Sequence, residues 1–201
     1  MTDVINIKTL PTLLPSNVDF SSIFNNHNPL DLEIGCGRPH FFFDRALNFN
    51  DRNIIGIEYK YEFMKNAQKR IVRETINNAL ALHGNAWSLV PLLFKDSSLS
   101  NVFINFPDPW WKKKHKKRLI LNEDFLYFLK SKMGNQSCII LQTDVHDLFL
   151  YYKDLLTNNG FIKANKTQEE IQDFNKAKTH REKKCLDNNT PIYRGIFEKM
   201  D

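Results

Sequence analysis

Leu30-Asp31-Leu32-Glu33-Ile34-Gly35-Cys36-Gly37 reads as a short apolar strand that runs straight into two glycines. Glycine at the end of a strand lets the backbone turn sharply and come close to a ligand. A helix pattern follows over Phe41–Leu47, and a second apolar strand over Ile54–Ile57. Residues 60–76 suit a helix, with Phe63, Ala67 and Ile71 four apart on one face. The alternation continues with a third strand at Ala79–Leu82, a short helix at Trp87–Phe94 and a fourth strand at Val102–Phe106. Asn122-Glu123-Asp124 supplies a cap and an acidic first turn for a helix to about Met133, with Gly134 as its stop.

Ser137–Thr143 is a fifth strand, and Leu148, Tyr152 and Leu155 mark a helix closed by Gly160. The tail holds a strand at Phe161–Lys166, a mixed polar helix near 169–178 and a last strand at Ile192–Phe197. Strands alternating with helices imply an α/β chain with a doubly wound, mainly parallel sheet. Residues 1–28, with Pro11 and Pro15, read as an N-terminal arm, and 29–201 as a single domain.

Sheets of this kind bind ligands outside the carboxyl ends of their strands. In order, the residues just after the strands are Glu33/Gly35/Gly37, Glu58, Asn85, Asp108 and Asp144. A dinucleotide fingerprint needs a third glycine, but residue 40 is His and Pro39 stiffens the turn, so no pyrophosphate cradle is evident. Glu58, at the end of the second strand, suits the hydroxyls of a ribose. An acid before the glycine turn suits an ammonium or sulfonium. Asn85 offers an amide to an adenine edge. Together these fit S-adenosyl-L-methionine, which has a ribose and an amino acid but no phosphate.

The fourth strand leads into Asn105-Phe106-Pro107-Asp108-Pro109-Trp110-Trp111, then Lys112-Lys113-Lys114-His115-Lys116-Lys117-Arg118. Proline drives the residue before it toward extended geometry, so Phe106 and Asp108 are expected there and the carboxylate is presented stiffly. Two tryptophans offer stacking surface for a base; Trp110 is expected to pack inward, and Trp111 is assigned to neither role. Six of the seven residues that follow are Lys or Arg, against a net charge of +5 for all 201 residues. The rest of the chain is therefore slightly acidic, and the positive charge is focal. A focal patch is what phosphate binding uses, because neutralised phosphates release counterions.

No apolar stretch reaches the ~20 residues that span a bilayer. The start, Met1-Thr2-Asp3-Val4, lacks the basic flank and apolar core of a secretory signal, so a cytoplasmic protein is expected. Cys36, Cys138 and Cys185 match neither a disulfide framework nor a zinc spacing, and no metal is expected.

From about Leu30 to Lys199 the chain resembles the bacterial tRNA (guanine-N7)-methyltransferase family. The resemblance rests on Phe106–Trp110 with its basic run and on Thr143-Asp144. It rests also on Thr179-His180-Arg181-Glu182 followed by Pro191-Ile192-Tyr193-Arg194. It implies a Rossmann-like, seven-stranded sheet with an antiparallel C-terminal strand and S-adenosyl-L-methionine as methyl donor. It also implies tRNA as partner, with N7 of the variable-region guanine at position 46 as acceptor. By resemblance, Glu33, Gly35, Gly37, Glu58, Asn85, Ala86 and Asp108 line the donor site, and Asp108 is catalytic. Lys112, Asp144, Thr179, His180, Arg181 and Glu182 match substrate-contacting positions. Lys113, Lys114, Lys116, Lys117 and Arg118 are assigned to RNA phosphates. Thr179 and Glu182 stand in a polar, Lys-rich tail, where ordering on ligand or RNA is expected. Monomer and homodimer both suit the sequence.

Guanine N7 carries no proton at neutral pH, so transfer needs alignment and fixed charge rather than a strong base. Two other readings exist. An amino-group methyltransferase acting on adenine or cytosine is the first, since Asn105–Trp110 loosely resembles its Asn-Pro-Pro-aromatic loop. The second is a non-catalytic RNA-binding module on the same fold, which would need neither Glu58 nor the glycine turn.

Overall fold

The computed structural model describes residues 17–109, 119–167 and 173–200. The arm's residues 1–16, the segment Trp110–Arg118 and residues 168–172 and 201 lie outside the described residues. Those outside therefore include Trp110, Trp111, His115 and all of Lys112, Lys113, Lys114, Lys116, Lys117 and Arg118.

In chain order the elements are α1 (Phe20–Phe24), β1 (Leu30–Ile34), α2 (His40–Asn48), β2 (Asn53–Glu58), α3 (Tyr61–Glu74), β3 (Ala79–His83), α4 (Ala86–Leu93) and β4 (Leu99–Asn105). They continue as α5 (Glu123–Lys132), β5 (Met133–Thr143), α6 (His146–Asn158), β6 (Phe161–Lys163), α7 (His180–Asp187) and β7 (Tyr193–Lys199). The strands form one seven-stranded sheet in the order β3-β2-β1-β4-β5-β7-β6. The β1–β5 pairs are parallel, while β7 runs antiparallel to both β5 and β6. The expected doubly wound, mainly parallel sheet with an antiparallel last strand is the one observed.

Both faces are buried, as a parallel sheet requires. Side chains alternate across the pleat. Leu32, Ile34, Ile55, Ile57, Val102, Ile104, Ile139 and Leu141 pack on one side with α4, α5 and α6. Ile54, Ala79, Ala81 and Phe103 pack on the other with the Phe41-Phe42-Phe43 run of α2 and with Met64 and Ala67 of α3. Residues 17–28 of the expected arm lie against the first side, where Phe20 and Phe24 are buried and Phe20 meets Phe94 at 5.0 Å between ring centroids. Among the described residues, no helix is long and apolar enough to cross a membrane.

Several local expectations shift. Asn122 does cap α5, accepting from Phe125 N at 2.9 Å. Gly134, however, is no helix stop. Met133 is already extended and pairs with Leu99, so β5 starts four residues before Ser137. The next strand is shorter than expected and ends at Lys163. Asp173–Asn175 are helical within the helix expected near 169–178, of which 169–172 lie outside the described residues. A further helix, unexpected from the sequence, begins at His180, where Thr179 and Glu182 form a capping box. Phe106 departs from extended geometry with φ +48, although Pro107 follows it.

Candidate active site

The carboxyl ends of β1, β2, β3 and β4 open onto a cleft of about 1020 Å3. Its lining includes Gly35, Gly37, Glu58, Asn85, Ala86 and Asp108, together with Tyr59, Phe63, Trp87 and Asn105. Six of the seven residues expected to line a donor site thus share one cleft.

Gly35 and Gly37 have φ +77 and +51, values that favour glycine, and a Cβ on either would meet nothing within 4 Å. The glycines are demanded by backbone conformation, and the space before them is open. Glu58 braces this turn from β2: its Oε2 accepts from Gly37 N at 2.8 Å, and its Oε1 from Lys60 N at 2.8 Å. Asn85 caps α4, its side-chain oxygen accepting from Trp87 N at 3.0 Å. Its NH2 keeps two donors available for a ligand.

Glu33 lies one residue before the lining and is 1% exposed. Asn105 Nδ2 donates to its Oε1 at 2.9 Å, while its Oε2 is buried without a partner. Burial first, with the Glu58 charge adding to it, pushes the Glu33 carboxyl up to about 8 from an ordinary 4.5, against the Asn105 hydrogen bond. The neighbouring Cys36 thiol is buried and pushed well above its usual range, chiefly by that burial.

Asp108 stands exposed at the cleft mouth, three residues past β4. The chain reaches it through the left-handed Phe106, whose N–H donates to Gln142 O at 2.7 Å. A bulky residue at positive φ persists only where its surroundings hold it, and such residues cluster at functional sites.

The other expected site residues gather beyond β5 rather than in the cleft. Asp144 follows Thr143, and Val145, not Asp144, occupies the cap position of α6. Asp144 instead pairs with Arg181 of α7, accepting from its Nε at 3.1 Å. Thr179 Oγ1 accepts from Glu182 N at 2.8 Å, and Glu182 Oε2 accepts from Thr179 N at 3.4 Å. Glu182 is buried, and its Oε1 accepts from Arg194 Nη2 at 2.6 Å. The tail is thus held by its own cap and by β7. His180 ties α7 back to the glycine turn: Arg38 Nη1 donates to its Nε2 at 3.0 Å, and its ring stacks on His40 at 5.3 Å between centroids.

Sequence reasoning assigned no role to Asn105, Gln142 or Arg194. The available signal was a polar or charged residue inside a strand buried by neighbours on both sides.

A family described as "Putative methyltransferase" matches residues 27–195. A tRNA (guanine-N(7)-)-methyltransferase of Prochlorococcus marinus (strain AS9601) is 34% identical over 180 residues, 85% of this chain and 85% of that protein. One from Oceanobacillus iheyensis is 34% identical over 185 residues, 90% of this chain and 86% of that protein. Among solved structures, the 16S rRNA methyltransferase KamB superposes with a TM-score of 0.65 at 12% identity, over 94% of this chain and 97% of that one. A SAM-dependent methyltransferase from Aquifex aeolicus gives 0.57 at 10% identity, over 90% and 88%. The structural likenesses concern the fold.

Proposed function

The chain belongs to the tRNA (guanine-N(7)-)-methyltransferase family, and we propose that it methylates N7 of the variable-region guanine at position 46 of tRNA, using S-adenosyl-L-methionine. The observation that carries this reading is the arrangement of acids at one cleft. A rigidly flanked carboxylate, Asp108, stands at the mouth, and a buried carboxyl with an open oxygen, Glu33, lies beneath the floor. The orphaned Glu33 oxygen supports the fit of the cofactor, because a cation brought to it would satisfy a buried acceptor.

When bound, S-adenosyl-L-methionine supplies a methyl group carried on a sulfonium. Guanine N7 presents a lone pair on the major-groove edge and needs no deprotonation. The work left to the protein is alignment and charge placement. Asp108 accepts from the guanine N1–H and amino group, which orients the base and offsets the positive charge it acquires. Glu58 keeps a second lone pair on each oxygen for ribose hydroxyls, and the Asn85 NH2, beside Ala86, donates toward the adenine edge. Gly35 and Gly37 admit the ligand close to the backbone, and Glu33 takes the ammonium.

Lys112, Asp144 and the segment Thr179, His180, Arg181 and Glu182 form the substrate side. Lys113, Lys114, Lys116, Lys117 and Arg118 hold RNA phosphates, fixing position rather than sequence. Residues 29–201 act as one domain in the cytoplasm, and the reading is the same for a monomer or a homodimer.

The test is Asp108→Asn, with folding and S-adenosylhomocysteine affinity measured alongside. Turnover on unmodified tRNA should drop by about 10²-fold, the scale of losing one well-placed electrostatic group. Turnover near that of the unaltered enzyme would sink the assignment.

A further inference from the structure

A run of polar side chains, buried from Glu33 to Gln142 and ending on an exposed Arg194, crosses the carboxyl edge of the sheet, and the transfer chemistry requires none of its middle members. Arg194 Nε of β7 donates to Gln142 Oε1 of β5 at 3.1 Å. Gln142 Nε2 donates to Asn105 Oδ1 of β4 at 2.9 Å. Asn105 Nδ2 donates to Glu33 Oε1 of β1 at 2.9 Å. Each amide turns its oxygen toward Arg194 and its nitrogen toward Glu33. The run is directional, starting on a guanidinium and ending on a carboxyl. Turning over either amide would set donor against donor and acceptor against acceptor in a buried place.

Gln142 is also the branch point. Its Nε2 lies 3.4 Å from Glu182 Oε2, and Glu182 in turn holds the capping box that starts α7. Its backbone carbonyl accepts the N–H of Phe106, the strained residue from which the Asp108 loop hangs. One residue thus touches the amide under Glu33, the carboxylate that organises α7 and the turn that carries Asp108.

We propose that Gln142 is a positioning residue that couples the methyl-donor seat to α7, so that filling either side tightens the other. This rests on the functional reading above, in which Glu33 meets the donor and α7 meets tRNA. A cation beside the open Glu33 oxygen favours the carboxylate, which accepts more strongly from Asn105. Polarisation then passes along a one-way run of hydrogen bonds, and the Gln142 amide is held in the sense that donates toward Glu182. Coupling in affinity is reciprocal, so an α7 fixed by tRNA presents the donor seat in its ordered form.

The experiment measures the affinity of an unmodified tRNA transcript by calorimetry, with and without saturating S-adenosylhomocysteine. It uses the unaltered protein, Gln142→Met and Arg194→Lys. The unaltered protein should bind tRNA about tenfold tighter with the nucleoside present, and Gln142→Met should bring that ratio to within about twofold of one. Its affinity for the nucleoside alone should change less than about threefold. Arg194→Lys keeps a cation for Glu182 but loses the forked second donor to Gln142, and should lower the ratio partway. It carries the test if Gln142→Met does not fold. A purely structural role would weaken both affinities and leave their ratio intact, which would overturn the proposal. So would a ratio near one in an active, unaltered enzyme. An unaltered protein that binds the nucleoside yet methylates no tRNA would sink the functional reading and the coupling together.

Discussion

Asp31 and Glu33 stand two residues apart on one face of β1, and their surroundings treat them oppositely. Asp31 is fully buried but saturated: Arg45 reaches it at 2.8 Å, Arg52 at 2.7 Å and Asn101 at 2.9 Å. Glu33 has one amide and an empty second oxygen. The first is a staple between β1 and α2, since removing a partner from a buried pair leaves an uncompensated charge. In the function proposed above, the second takes the cation of the donor. With its carboxyl pushed up to about 8, Glu33 is mostly protonated at pH 7 in the free protein. An ammonium beside it favours the charged form, so S-adenosylhomocysteine binding at pH 7 should release close to one proton. Calorimetry in two buffers of different ionisation enthalpy reads this directly. The observed enthalpies should differ, and the difference should vanish in Glu33→Gln. Equal enthalpies for the unaltered protein would remove Glu33 as the ammonium partner. The folded protein holds this proton more tightly than the unfolded chain. The stability Glu33 contributes is therefore full below about 4.5 and is lost as the pH rises through 8. The sequence made Glu33 legible through its place before the glycine turn. The satisfaction of Asp31 was hidden, because Arg45 and Arg52 come from other elements.

Elements with a continuous apolar run were readable to within a few residues. The strands β1, β2 and β3 alternate between two buried faces, and so do not depend on a subtle period. The tail was harder. The segment Thr179–Glu182 is legible in the sequence as a motif of substrate contact, while the geometry makes it first a helix start. Its polar composition hid the helix, because α7 is held by its cap and by Arg194 rather than by an apolar stripe. Thr179→Ala should therefore destabilise the protein by about 1 kcal/mol, the usual worth of such a cap, with Thr179→Ser largely restoring it. In a chain of this size that is a fall of roughly 2–4 °C in Tm. An unchanged Tm would mean that the cap does not hold α7. The positive φ of Phe106 was unreadable for another reason. The proline rule speaks for the local chain, and the hydrogen bond to Gln142 overrides it.

At the scale of the whole molecule, the alternation of strands and helices was enough to place a cleft at the carboxyl edge. Their positions just after the strands place Glu58, Asn85 and Asp108 there. The run from the buried Glu33 to the exposed Arg194 is not legible in this way, because it depends on β7 inserting beside β5, an order no local pattern states. In sequence, the basic run Lys112–Arg118 stands between Pro109, next to the cleft-mouth carboxylate, and Leu119, which is buried in the core. A focal basic run in an otherwise slightly acidic chain suits the phosphates that flank a target base. The claim at stake is that this cleft methylates one guanine of tRNA at N7. The direct measurement is methyl transfer from S-adenosyl-L-methionine to an unmodified tRNA, followed by borohydride reduction and aniline scission. The account predicts cleavage at the variable-region guanine and 7-methylguanosine among the nucleosides. A methylated adenine or cytosine, or no transfer at all, would contradict it.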